Sequence, residues 1–121
     1  MVLFKQKHID LILSGRKTQT RRIHKRPLKI GKTYGIRRTW FEKSIAKITI
    51  LRAFRQRLGD ISIEDIQKEG YNNIWEFRKE WEEIHGPGNW NPDQVVMAYE
   101  FRLLTSAKTG KPSPGEESQQ L

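Results

Sequence analysis

Cysteine is absent from the 121 residues. That removes disulfides, thiolate zinc sites, iron–sulfur clusters and cysteine nucleophiles together. Long apolar runs are missing too, and nothing approaches the roughly 20 residues of a membrane-spanning helix. The opening MVLFKQKHID has neither the apolar core nor the small-residue cleavage site of a signal peptide. A cytoplasmic chain without membrane contact is expected. Histidine is scarce: His8, His24 and His85 are scattered, with no pair at i, i+4. No metal site and no cofactor are expected. Acidic residues are scarce in one half only. Residues 1–57 hold 17 basic side chains against two acids, Asp10 and Glu42, whereas residues 58–104 hold 4 basic and 10 acidic ones.

The net charge of +9 is therefore concentrated in the first half. A basic half of this kind suits a polyanion, with RNA or DNA ahead of a membrane surface. The plainer reading is that the two halves neutralise each other on folding. Four Trp, five Phe and three Tyr supply bulky side chains for a core. That is enough for one domain, placed over residues 1–104. From Thr105 the chain runs TSAKTGKPSPGEESQQL, in which Leu121 is the one large apolar residue. Such a segment cannot offset its ordering entropy, so residues 105–121 are expected to be a disordered tail.

The domain reads as a series of short elements. Val2, Leu3 and Phe4 open as a strand or extended arm. Ile9, Ile12 and Leu13 stand at helical spacing and predict a short helix from His8 to Leu13, with Gly15 in the stop position. Strands are predicted at Lys32–Arg38 and Ser44–Phe54. Ser62 is a helix cap for a helix ending near Glu69 before Gly70, and Asn73 caps a second helix over 74–85. Ile74, Phe77, Trp81 and Ile84 are its expected buried face. Glu76, Glu80, Glu82 and Glu83 are expected on a solvated face, paired with Arg78 and Lys79. Val95–Leu103 is the closing strand. The order points to an α+β domain with a small mixed sheet or barrel.

Residues 14–22, SGRKTQTRR, are the unusual stretch. In a plain strand Lys17 and Thr20 would point to opposite faces, so a turn is needed to bring them to one side. Arg gives bidentate contacts to phosphate, Lys a point charge and Thr a neutral donor. The spacing is not that of a P-loop, so a nucleoside triphosphate is not indicated. Thr becomes a nucleophile only beside a base. Lys17 serves as that base if it is neutral, a state favoured by the like charges of Arg16, Arg21 and Arg22 and by burial. A carboxylic acid would then protonate a leaving nitrogen, and Glu64, Asp65 and Glu69 are the candidates. The competing reading is an exposed cationic loop with no chemistry.

The run Gly15-Arg16-Lys17-Thr18-Gln19-Thr20-Arg21-Arg22, after the short helix, resembles the signature of ASCH domains. The basic strand, the Ile-Thr-Ile strand, the helical pair with Glu69 in IQKEGY and the closing AYEFRL strand follow in a similar order. The resemblance spans about residues 1–104. It implies a PUA-like fold, a small mixed β-barrel with helices at the rim. It also implies an RNA-binding cleft lined by Lys17, Thr20, Arg22 and Glu69. Within the family, the loop is most similar to a branch that hydrolyses 4-acetylcytidine to cytidine and acetate; many other ASCH domains carry Glu where Thr20 stands. For that branch the resemblance implies Thr20 as nucleophile, Lys17 as proton acceptor and Glu69 as proton donor. This chain departs from the branch in its Trp-rich stretch from Trp75 to Trp90 and in its tail.

The expected function is binding of RNA or a modified nucleoside through a basic cleft. Arg16, Arg21, Arg22, Lys25, Arg26, Arg37 and Arg38 are the candidate RNA contacts, and Trp40 is the candidate for stacking a base. The alternatives are an amidohydrolase acting on acetylated cytidine, and a protein-interaction module using the acidic helix and tail.

Overall fold

The structure is a computed structural model and describes residues 1–23 and 26–104. His24, Lys25 and the expected disordered tail at 105–121 lie outside the described residues.

Five strands and three α-helices are present among the described residues: β1 (Val2–Leu3), α1 (Gln6–Leu13), β2 (Gln19–Arg22), β3 (Thr33–Arg37), β4 (Ala46–Arg57), α2 (Ile63–Lys68), α3 (Ile74–His85) and β5 (Val95–Leu103). The strands form one mixed sheet in the order β1-β3-β4-β5-β2. Only β1 and β3 run parallel. The sheet curls into a half-barrel with the helices around it, the PUA-like α+β architecture expected from the sequence.

Each element has a local cause. In α1, Ile9 and Ile12 turn inward onto the sheet, where they join Ile36, Ile48, Ile50, Tyr99 and Phe101 in the main core. The helix begins at Gln6, a little before the expected start. The β4–β5 ladder forms the spine, and its register shifts between Ile50 and Arg52, leaving Leu51 as a bulge with its side chain half-exposed. That ladder continues as far as Arg57 opposite Val95, which carries β4 beyond the predicted end at Phe54. Ser62 caps α2 by accepting from the Asp65 N–H at 3.1 Å, and Asn73 caps α3 by accepting from the Glu76 N–H at 3.0 Å. A second core of Leu58, Ile66, Tyr71, Phe77, Trp81 and Val96 lies beneath these two helices.

Three expectations are corrected. Residues 19–22 are a strand paired with β5, not part of a polar loop, and Gln19, Thr20 and Arg21 are buried. The interior accepts them because their polar groups find partners on α2, β4 and β5. In α3 the buried stripe is Phe77, Glu80 and Trp81, while Ile84 is 53% exposed. Glu80 leaves the solvated face because Lys5 and Lys7 of α1's N-terminal end bond it, in place of Arg78 and Lys79. The acidic face predicted for α3 is thus reduced by its buried member.

Replacing Asn73 removes the acceptor for an end-of-helix N–H without disturbing a core contact. Asn73→Ala is expected to lower stability by about 1 kcal/mol in urea unfolding. A loss indistinguishable from zero would show that the cap contributes nothing.

Candidate functional site

Two glycines bring the site residues together. Gly15 has a left-handed backbone (φ 84°) that most residues avoid. It ends α1 and folds the chain back so that the Lys17 N–H bonds the Leu11 carbonyl at 3.1 Å. Thr18 then bridges two elements, its N–H to the Lys68 carbonyl at 2.8 Å and its carbonyl accepting from the Phe101 N–H at 3.0 Å. Gly70 (φ 104°) closes α2 so tightly against α1 that a Cβ there would stand 2.8 Å from Leu11 Cδ1. Glu69 is thereby pressed toward Lys17. Because Lys17 lies in the turn and alternation begins only at Gln19, Lys17 and Thr20 border the same cavity.

The Lys17 ammonium is 3% exposed and donates to Glu69 twice, to its carbonyl at 2.8 Å and to Oε1 at 2.9 Å. Arg21 reaches the other carboxylate oxygen, Nη1 to Oε2 at 3.0 Å. The remaining Arg21 donors go to Gln56 at 2.8 Å, Gln19 at 2.8 Å and Asp65 at 3.1 Å. Gln19 in turn donates to Asp65 and to Glu100. Burial pushes the Lys17 amine below its ordinary range; Glu69 opposes that shift, and Arg22 and Arg21 add to it. Burial, and not the like charges of the arginines, is the larger cause, and Arg16 is exposed and bonded to Asn72 at 2.7 Å.

Arg22 holds the next part of the wall. Its Nη2 donates to the Leu3 carbonyl at 2.7 Å and its Nε to Thr20 Oγ1 at 3.3 Å, and the guanidinium lies 4.5 Å over the Phe4 ring. Lys17, Thr20, Arg21, Arg22 and Glu69 all line a cavity of about 390 Å³. That volume is in the range of small-molecule sites. Of the three candidate acids, Glu69 lines this cavity, Asp65 faces Arg21 and Gln19, and Glu64 is exposed.

The other predicted contacts are dispersed. Arg38 lines the cavity and is paired with Glu42. Arg37 bonds carbonyls of its own loop, Arg26 is exposed, and Lys25 is outside the described residues. Trp40 is exposed, and Trp81 is buried as expected but borders the cavity.

Sequence reasoning did not connect His8, Tyr71 and Glu80, which line the same cavity. His8 Nε2 is 3.1 Å from the Tyr71 hydroxyl and 3.7 Å from Glu80 Oε2. His8 and Tyr71 lie far apart in sequence, and no local spacing links them. Glu80 lies below the usual carboxylate range: burial pushes it up, but the bonds from Lys7 and Lys5 outweigh that. Burial, with the nearby Lys17 charge, pushes the His8 imidazole down to about 4. The geometry agrees, since an imidazolium carries an N–H on both nitrogens and Nδ1 is buried with no hydrogen-bond partner among the described residues.

No family profile and no curated protein matches the chain. Solved structures do match it. A protein of the DUF984 family from Enterococcus faecalis V583 aligns with a TM-score of 0.67 at 21% identity, over 85% of this chain and 78% of its own. An ASCH domain from Lactobacillus crispatus JV V101 gives a TM-score of 0.60 at 18% identity, over 80% of this chain and 70% of its own. A tyrosine-to-phenylalanine variant of an ASCH protein from Zymomonas mobilis gives 0.60 at 14%, over 84% of this chain and 67% of its own. At these identities the likeness is one of fold, and the fold is that of ASCH domains.

The His8 environment sets a pH dependence. The unfolded chain takes up the imidazole proton near pH 6.5 and the folded one only near pH 4. The associated stability is complete above about pH 6.5 and is lost as pH falls toward about 4. Across that window, unfolding free energy of wild type relative to His8→Gln should drop by up to about 3 kcal/mol. Parallel stability curves for the two proteins would exclude this role for His8.

Proposed function

We propose that the cavity binds a modified nucleoside, free or within RNA. The observation that carries the reading is the buried Lys17–Glu69 contact in the wall of a cavity that also presents Thr20, Arg22 and the rings of Phe4 and Trp81. A nucleobase needs such a combination: a few fixed polar groups for its edge and aromatic surface for its face. The association of the ASCH fold with RNA supports the same ligand class by analogy.

A second reading is favoured by the same contact: hydrolysis of an amide on the base, as in 4-acetylcytidine. A charged Lys17–Glu69 pair and its neutral form, amine beside carboxylic acid, contain the same number of protons. Transfer along the 2.9 Å hydrogen bond interconverts them. Burial pushes the Lys17 amine toward its neutral form, and Glu69 opposes that shift. In the neutral form Lys17 accepts the Thr20 hydroxyl proton as Oγ1 attacks the acetyl carbon. The C–N bond then breaks, and Glu69 gives its proton to the departing nitrogen. Cytidine leaves, with the acetyl group esterified to Thr20. Water hydrolyses that ester: one of its protons restores the hydroxyl and the other leaves with the acetate. The Lys17–Glu69 pair, which holds the same number of protons as at the start, returns to the neutral form by transfer along the same hydrogen bond.

Two measurements on one set of proteins separate the readings. Equilibrium dialysis with cytidine and 4-acetylcytidine tests binding, and chromatography for released cytidine tests turnover. Hydrolysis predicts that Thr20→Ala retains ligand but loses turnover by at least about a thousandfold. Lys17→Met, which keeps the side-chain bulk, should also abolish turnover. Binding without turnover in wild type removes the hydrolase reading and leaves the nucleoside site. Absence of both removes the two readings together.

A further inference from the structure

The segment joining β3 to β4, residues 38–45, carries two aromatic side chains that the described residues leave bare. Trp40 is 67% exposed and Phe41 is 97% exposed. The backbone that presents them is fixed. Arg37 lies partly buried behind the loop, and its Nη1 donates to the carbonyls of Trp40 and Glu42. Arg38 pairs with the Glu42 carboxylate, and the Thr39 hydroxyl accepts from the Phe41 N–H at 3.3 Å. A loop held by this many bonds displays its rings in a set position, and neither ring is folded back to shelter from water.

The position of the loop indicates what the rings face. Arg38 belongs both to the loop and to the cavity wall, and Trp40 and Phe41 follow it two and three residues further along the loop. The flanking charge is positive: Arg37, Arg38 and Lys43 stand against Glu42 alone. One indole and one phenyl ring set among cations match the face of a base and its phosphate. They are a poor match for a lipid bilayer, which calls for a broader apolar face.

We infer that Trp40 and Phe41 form a stacking platform for the nucleotide adjoining the one in the cavity, so that the ligand is a single strand of nucleic acid and not a free nucleoside. The inference rests on the cavity being a nucleoside site. Arg38 holds Glu42 through Nε and Nη2, which leaves Nη1 for the phosphodiester that joins the two nucleotides.

The test compares an oligouridylate of about eight nucleotides with cytidine on the full chain, using wild type and the double variant Trp40→Ala/Phe41→Ala. Both substituted residues are exposed, and circular dichroism checks that the fold survives. The ratio of oligouridylate to cytidine affinity should fall by about tenfold or more in the double variant. Wild-type tryptophan fluorescence should be quenched by the oligonucleotide. Equal oligouridylate affinity in the two proteins overturns the inference. So does binding to phosphatidylserine vesicles, or self-association, that depends on the two rings while oligouridylate affinity does not. Ring-dependent oligonucleotide binding without cytidine binding upholds the platform and removes the cavity reading. Cytidine binding without ring-dependent oligonucleotide binding does the reverse.

Discussion

Buried charge is the constraint on which this structure depends. Lys17, Arg21 and Glu69 have side chains 3%, 0% and 4% exposed. Removing such ions from water costs several kcal/mol each, and attraction between them offsets this only if the hydrogen bonding is nearly complete. Here two cations meet two carboxylates, and Gln19 and Gln56 take up donors and acceptors that the ions leave over. The partners come from the turn after α1, from β2, β4 and α2. None of these can shift alone without leaving a charge unmatched in a dry setting. The cluster that gives the cavity its chemistry also holds the elements around it in register.

The cavity contains a second carboxylate with a different setting. Glu80 is as buried as Glu69, but its lysines are largely exposed, with Lys5 at 49% and Lys7 at 58%. The cavity wall therefore holds one carboxylate paired with ions inside the fold and another paired with cations anchored in solvent. Salt screens the second arrangement far more than the first. His8 lies between them, bonded toward Tyr71, and remains neutral at ordinary pH because its surroundings are dry. A ligand entering this space meets both environments within one wall.

Much of the fold was legible because the signals were local. Ser62 and Asn73 each satisfy an N–H three residues on, Gly15 and Gly70 stop helices with positive φ, and β-branched and aromatic residues mark β5. The likeness of the GRKT loop to ASCH domains carried the fold class, and Lys17, Thr20 and Glu69 do share a cavity. What escaped was anything decided at a distance. Gln-Thr-Arg-Arg has no apolar pattern, and it becomes a buried edge strand only through partners on α2, β4 and β5. Glu80 reads as a surface residue because helical spacing says nothing of lysines on another helix. Arg16 and Arg21 look alike in the sequence, yet one sits at the surface with Asn72 and the other is fully enclosed.

The sheet order carries a consequence for how the protein is made. Its two edge strands, β1 and β2, come from the first 22 residues, while the strand that β2 must pair with, β5, spans Val95–Leu103. On the ribosome, the segment holding Lys17 and Arg21 emerges long before its partner. Until then its cations stay hydrated and its strand unpaired, and α1 has only part of a surface to lie on. Assembly of the half-barrel must await the last strand and proceed through contacts distant in sequence, a topology associated with slow folding. The high charge of that waiting segment keeps it soluble and discourages premature pairing with other chains. The same arginine and lysine that later line the cavity thus spend the interval as hydrated surface charges.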